Sequence, residues 1–168
     1  MRMRRAGHHL AEFNKGVLRH DWDDPRVRDF ADNIAKVNEV ALRAPGFVWM
    51  LGEAEMDAAQ RDPGGVLGGN LRTASTLSVW TDAERLEGFV WDTVHRVFYA
   101  RRGEWFAEGQ GLRLVLWWIP EGHRPTIEEA MARFRHLEAH GDSDHAFGWR
   151  WLTEARLWRE RQCGVAAE

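Results

Sequence analysis

The sequence predicts one α+β domain in which helices pack on a four-stranded antiparallel sheet. Two observations support this fold class. Segments with strand-like apolar patterns and segments with helical period follow one another as strand, helix, strand, strand, helix, strand. The chain has 168 residues, 44% of them hydrophobic and 29% charged, which is typical of a single globular core. We therefore assign residues 1–168 to one domain, with its core at about 8–120 and a C-terminal extension at about 121–168.

The first half-unit runs from the N-terminal strand to the second strand. Residues 8–14, "HHLAEFN", alternate loosely and predict a strand. Asp23 and Asp24 precede Pro25, and an aspartate cap followed by proline favours a helix start. The apolar residues that follow recur at helical spacing: Val27, Phe30, Ile34, Val37 and Ala41. The sequence "APG" ends this helix, and "FVWMLG" predicts the second strand.

The second half-unit begins after a segment rich in glycine and charge. Residues 53–70 are expected to form a mobile loop. The sequence "LRTASTLSVW" alternates and carries β-branched residues, which predicts the third strand. Thr81 or Asp82 is expected to cap a second helix that runs from about Ala83 to Arg102.

The fourth strand, "LRLVLWWIP", is apolar on both of its alternations, so both faces of the sheet are expected to be buried. Pro125 and Thr126 open a third helix, which ends at Gly141. The sequence "FGWRWLTEARLW" then supplies a last strand or a short strand and helix.

This order predicts a ferredoxin-like βαββαβ arrangement, with both half-unit helices on one face of the sheet. One chain then supplies helices for only one face. We expect a second copy to cover the other face, which gives a homodimer whose two sheets form a closed or nearly closed α+β barrel.

Several stretches together resemble a known family. They are "APGFVW", "LSVW", "FVW" followed by "HRVFYARRGEWF", "LVLWWIPEGHRPTIEEA" and "HLEAHG". The sequence resembles an uncharacterised bacterial family of the dimeric α+β-barrel superfamily, which includes the antibiotic-biosynthesis monooxygenases. The resemblance covers roughly residues 8–150, and the tryptophan-rich strand joined to "PEGHRPT" is its most specific part. It implies the fold more narrowly than the chemistry, because members of the superfamily include cofactor-free oxygenases, heme-binding enzymes, lactone isomerases and non-enzymatic binding modules.

The stretch "WDTVHRVFYARRGEW" suggests a site. At 100° per residue, Trp91, His95, Phe98 and Arg102 lie together along one edge of the second helix. One hypothesis is a catalytic pair, with His95 as general base and Arg102 holding an anionic intermediate. Aromatic walls around this pair would bind the substrate: Trp49, Trp80, Trp91, Phe98, Trp105 and Trp117.

A structural interpretation stands beside this one. His95 would then bond a neighbouring carbonyl, the arginines would cap the helix and stack on Trp105, and the tryptophans would be core or dimer interface. His123 in "PEGHRPT" is either a second acid or base at the cavity mouth or a residue that orders the turn. His136 and His140 have metal-ligand spacing, with Asp142, Asp144 or His145 near, but a solvated helix end explains them and we predict no metal site.

Other function classes are disfavoured. The net charge of −3 and the lack of a long basic run argue against nucleic acid, and no apolar run reaches the roughly 18 residues of a membrane span. Cys163 is alone, so no disulfide framework is expected, and a cytoplasmic location is the simplest interpretation. We therefore predict an enzyme of specialised metabolism that acts on an apolar aromatic or polyketide-like molecule by acid/base catalysis, through cyclisation, isomerisation or cofactor-free oxygenation. The alternative is a module that binds heme, with His95 as axial ligand, or binds another small ligand without catalysis.

Overall fold

A computed structural model describes residues 3–93, 95–109 and 113–152, and the backbone alone of His95. The four strands are β1 (His8–Val17), β2 (Phe47–Met50), β3 (Thr73–Trp80) and β4 (Arg113–Pro120). The helices are α1 (Arg28–Ala31), α2 (Ile34–Leu42), α3 (Glu53–Arg61), α4 (Ala83–Asp92), α5 (His95–Trp105) and α6 (Ile127–His140). Short 3-10 turns occupy Pro25–Val27 and Trp149–Trp151.

The four strands form one antiparallel sheet in the order β2-β3-β1-β4. The two central strands are β1 and β3, and the register places Glu12 opposite Ser78 and Asn14 opposite Thr76. On the other side of β1, Glu12 lies opposite Leu116. The predicted α+β class and the ferredoxin-like strand order are therefore confirmed.

Local signals at the helix ends match the predicted caps. The Asp24 side chain accepts from the backbone N–H of Arg26 at 2.9 Å, directly before Pro25. Asp82 caps α4 by accepting from the N–H of Arg85, also at 2.9 Å. Gly141 ends α6 with φ of 75°, a conformation that glycine adopts at little cost. The predicted single first helix, in contrast, is divided among the 3-10 turn, α1 and α2.

The two faces of the sheet carry separate cores. One face, called here the α4 face, is covered by α2 and α4, and its buried residues include Leu10, Trp80, Leu116 and Trp118. The opposite face, called the α6 face, is covered by α3 and α6. Its strand residues are Ala11, Phe13, Leu77, Val79, Val115, Trp117 and Ile119. Both faces of β4 are therefore buried, as its doubly apolar sequence predicts.

The segment 53–70 is not simply a mobile loop, and this prediction is wrong. Residues 53–61 form α3, whose Met56 is buried against the α6 face, and Gln60 accepts from the Ser75 N–H at 2.7 Å. The sequence prediction missed this amphipathic helix because the glycines that follow it are typical of a loop. Because α3 and α6 cover the second face, the premise that one chain has helices for only one face is also wrong. The homodimer itself stays a prediction.

The predicted helix 83–102 is broken. Helix α4 ends at Asp92, Thr93 adopts an extended conformation, and the Thr93 hydroxyl donates to the Phe89 carbonyl. A single helical wheel therefore does not hold across this point. The alignment of Trp91 with Phe98 and Arg102 along one helix edge was wrong for this reason.

The chain after α6 crosses the outer edge of β4. Phe147 and Leu116 exchange two backbone hydrogen bonds of 2.9 and 2.7 Å, which extends the sheet by one bridge. The following 3-10 turn then places Trp149 and Trp151 against the core of the α4 face. Of the predicted strand and helix at 147–158, residues from 153 lie outside the described part. Within the described ranges, no helix is both long and apolar enough to cross a membrane.

Candidate functional site

Four polar side chains occupy the centre of the α4 face, where two central strands should carry apolar residues. In β1 the alternation Leu10, Glu12, Asn14 places a carboxylate and an amide on the covered face. In β3, Ser78 and Thr76 lie directly opposite Glu12 and Asn14. We call these four residues the polar block. Its position between two strands fixes the spacing of its members, since paired residues on one face lie about 5 Å apart.

Hydrogen bonds join the polar block into one network. Ser78 Oγ donates to Glu12 Oε2 at 2.8 Å, and Asn14 Nδ2 donates to Glu12 Oε1 at 2.7 Å. The same Asn14 Nδ2 donates its other hydrogen to Thr76 Oγ1 at 2.5 Å. The Trp80 indole N–H donates to Ser78 Oγ at 3.0 Å. Because an indole only donates, it turns the Ser78 hydroxyl hydrogen toward Glu12.

Burial controls the charge of Glu12. Its side chain is 5% exposed, and loss of hydration raises its pKa to about 7, while donation from Asn14 and Ser78 acts in the opposite direction. The two effects leave the carboxyl near half-protonation at neutral pH. A group in this state can both accept and release a proton without a large free-energy cost.

Aromatic clusters flank the polar block at both ends. Toward the start of β1, Trp80 stacks on Phe89 with ring centroids 5.1 Å apart. Beyond the other end, Trp105 and Phe106 are buried with Leu18 in a separate cluster. Glu12 and Ser78 are buried, whereas Asn14 and Thr76 are only partly buried. The accessible side of the polar block is therefore the row formed by Asn14 and Thr76.

A cleft of about 1110 Å³ lies between the end of α2 and α4. Its lining includes Arg43, Glu84 and Phe89. None of the polar-block residues lines it. Phe89 lines the cleft and also stacks on Trp80. We take the polar block as the candidate site because it contains the buried carboxyl whose pKa is raised.

The predicted aromatic walls divide between the two faces. Trp80 is buried on the α4 face, and the half-buried Trp91 packs against the same core. Phe98 and Trp105 meet at 5.7 Å in the cluster beyond Leu18. Trp49 and Trp117 belong to the α6 face. No single cavity among the described residues is lined by all six.

Of the three predicted catalytic residues, Arg102 and His123 have described side chains, and these two lie at different places. The side chain of His95 lies outside the described residues, so its roles as base and as heme ligand stay predictions. Arg102 donates to the Tyr99 carbonyl at 2.7 Å and lies 4.1 Å over the Tyr99 ring. His123 Nε2 lies 2.7 Å from Glu129 Oε2, and Glu129 Oε1 accepts from the Trp117 indole at 2.9 Å. This contact ties the turn to α6, away from the polar block.

The three histidines near the end of α6 lie side by side. The rings of His136 and His140 are 4.7 Å apart, and those of His136 and His145 are 4.6 Å apart. Arg133 contacts His145 Nδ1 at 2.6 Å, so a cation already lies beside this nitrogen. Across the ranges that the structure describes, no three His, Cys, Asp or Glu side chains are placed to share a metal ion.

Glu12 and its partners were not singled out from the sequence. The signal was present, because a glutamate two residues after Leu10 in a strand falls on the same face as that leucine. The strand "HHLAEFN" alternates too loosely to show which face is covered. The polar residues of "TASTLSVW" look equally ordinary until the register places them opposite Glu12 and Asn14.

Comparison with known proteins gives a family for this chain. Residues 9–163 match the family described as "Domain of unknown function (DUF3291)", which covers most of the sequence. The chain belongs to this family, in agreement with its resemblance to an uncharacterised family. No curated protein matches the chain.

Two solved structures are similar to the chain at low identity. A protein of unknown function from Nitrosomonas europaea is 12% identical, with a TM-score of 0.45, over 73% of this chain and 99% of that one. SnoaB, a cofactor-independent oxygenase from Streptomyces nogalater, is 17% identical, with a TM-score of 0.39, over 72% of this chain and 98% of that one.

Proposed function

We propose that this member of the family is an enzyme that moves a proton on a small, neutral and largely aromatic molecule, with Glu12 as the acid and base. The observation that supports this most strongly is the carboxyl itself. It is buried on a sheet face between aromatic clusters, its pKa is raised to about 7, and hydrogen bonds from two neighbours hold it in place.

The ionised form of Glu12 acts as the base. A carboxylate with few water contacts accepts a proton more readily than one in solution, because protonation removes a poorly solvated charge. Glu12 takes a proton from an acidic C–H or O–H of the ligand, and the electron pair stays on the ligand. Returning the proton to a different ligand atom isomerises the molecule. In a cyclisation the electron pair instead forms a bond to a carbonyl carbon of the same ligand, the C=O π pair moves to the oxygen, and that oxygen takes the proton from Glu12. The same deprotonation would begin a cofactor-free oxygenation.

Asn14 and Ser78 position the carboxyl. Each donates to one carboxylate oxygen, so Glu12 keeps one orientation as its charge changes. Asn14 Oδ1 has no partner among the described residues, and Asn14 lies on the accessible row of the polar block. It is the acceptor that we expect to bind a hydroxyl or N–H group of the ligand.

The surroundings set the substrate class. The neighbouring side chains are aliphatic, aromatic or neutral and polar, and among the described residues no cation contacts the polar block. Such a site favours a flat, uncharged molecule with one or two polar groups. Heme and cofactor chemistry are not needed for proton transfer by a carboxyl.

A general proton-abstraction probe tests the proposal. With nitrobenzisoxazole, a base takes the ring C–H proton, the N–O bond breaks, and a coloured cyanophenolate forms. We expect the native protein to accelerate this reaction and Glu12→Gln to lose about 100-fold or more of that rate, because a general base contributes on this order. Glu129→Gln is the matched control, since Glu129 is likewise a carboxylate that accepts a side-chain hydrogen bond but lies on the α6 face.

Two outcomes contradict the proposal. One is a native rate no higher than that of buffer at equal pH. The other is an equal loss of rate in Glu12→Gln and Glu129→Gln, which would mean that the reaction does not depend on the polar block. Circular dichroism of both variants shows whether each is folded.

A further inference from the structure

A second cavity lies between the end of α5, the chain that follows β1 and the start of β4. It has a volume of about 420 Å³, and three of its lining residues are arginines, Arg19, Arg102 and Arg113. Among the described residues of the lining, Glu108 is the one acidic side chain. The cavity shares no residue with the polar block, so its chemistry is independent of the proposed function.

Two of the arginines are held by backbone carbonyls, which do not neutralise their positive charges. Arg19 donates through Nε to the carbonyls of Gly103 and Phe106, at 3.1 and 2.9 Å. Arg102 is held by the Tyr99 carbonyl and ring. Within the described ranges neither guanidinium has a carboxylate partner, and both keep N–H groups that bond nothing. Their positions are thus fixed while their charges remain available.

The third arginine is paired with an acidic residue. Arg113 bonds Glu138 at 2.6 Å and lies opposite Lys15 in the register of β1 and β4. The pKa of Lys15 is lowered first by partial burial and next by the charge of Arg113, while the Glu138 carboxylate acts in the opposite direction. Lys15 and Arg113 follow the same strand alternation as Phe13 and Val115, so both belong to the α6 face, where Glu138 offsets the charge of Arg113.

We propose that this cavity binds a small molecule through an oxyanion group, a phosphate or a carboxylate. Guanidinium forks match the geometry of both groups and bind them with paired, charge-assisted hydrogen bonds. A cavity of about 420 Å³ also leaves room for an organic part beyond the anionic group. Arg19 and Arg102 supply the unpaired donors, and Arg113, which pairs with Glu138, lines the edge of the cavity.

Isothermal titration with inorganic phosphate and with malonate, at matched ionic strength, tests this assignment. We expect saturable binding that Arg102→Gln weakens by about tenfold or more, since one charge-assisted pair is worth this much. Arg61→Gln is the matched control, because it removes the same charge from α3, where Arg61 pairs with Asp57. Glu12→Gln is expected to bind as the native protein does, which separates this site from the polar block.

The relative affinities for phosphate and malonate identify the anionic group of the ligand. Tighter binding of phosphate assigns a phosphorylated ligand, and tighter binding of malonate assigns a carboxylate. The absence of saturable binding of both anions at about 10 mM overturns the proposal. An equal loss of anion affinity in Arg102→Gln and Arg61→Gln also overturns the proposal, because it would mean that the binding depends only on the net charge of the protein.

Discussion

Replacing Glu12 with glutamine is expected to change how the stability of the protein depends on pH. Folding raises the pKa of this carboxyl from 4.5 to about 7. The folded state therefore binds more protons than the unfolded chain between these two values, and the free energy of unfolding falls as pH rises through this window. Below 4.5 the carboxyl is protonated in both states and the penalty is absent.

The magnitude follows from the two values. Since a tenfold change in a protonation constant corresponds to about 1.4 kcal/mol, the difference between 4.5 and about 7 amounts to about 3 kcal/mol. Glutamine abolishes this loss because it never ionises. Its amide has one acceptor in place of two, so either Asn14 or Ser78 loses its partner, at a cost of about 1 kcal/mol. At a pH of about 8 the variant should therefore be more stable than the native protein by about 2 kcal/mol.

Urea denaturation at a series of pH values measures this directly. The native curve should fall between about pH 5 and 8 relative to the curve of Glu12→Gln, and the two should cross within that range. Parallel curves would refute the argument, because they would mean that Glu12 titrates alike in the folded and unfolded states. A native protein that gains stability over the variant as pH rises would refute it more strongly.

Three further substitutions test the packing by urea denaturation. Gly69→Ala should destabilise the protein by at least about 1 kcal/mol more than Gly68→Ala. Both glycines have positive φ, but only at Gly69 would a Cβ overlap the Pro63 carbonyl. Equal losses of stability in the two variants would exclude that overlap. Asp82→Ala removes the cap of α4 and should cost about 1 kcal/mol, and an unchanged midpoint would mean that the cap adds nothing. Phe134→Ala should lower the free energy of unfolding by about 3 to 5 kcal/mol, because Phe134 is 5% exposed and packs edge-on against Phe13. A decrease below about 1 kcal/mol would show that neighbouring side chains fill the cavity.

The strand pattern was sufficient to predict the fold class, because each strand can be recognised from the apolar and polar pattern of its own residues. The apolar alternations of β4 and the caps at Asp24, Asp82 and Thr126 are signals carried by adjacent residues. Helix α3 was missed because the glycines after it dominated the composition of its segment. The break at Thr93 was missed because no proline or glycine marks it.

The site depends on register, which local patterns do not contain. The sequence shows Glu12 and Ser78 as ordinary strand residues 66 positions apart, and only the pairing of β1 with β3 joins them. The raised pKa of Glu12 arises from burial under helices that are distant in sequence. The predicted tryptophan walls failed to form one cavity for a related reason, since Trp80 and Trp117 belong to strands but project to opposite faces of the sheet.

The pH dependence of the nitrobenzisoxazole reaction tests the central claim most directly. The rate of the native protein should rise with pH and reach half its maximum near 7, the pKa to which burial raises Glu12. Glu12→Gln should show no such rise above the buffer reaction. A half-maximum near 4.5, the ordinary value of a glutamate, would contradict the account, because it would assign the reaction to a solvated carboxylate rather than to the polar block.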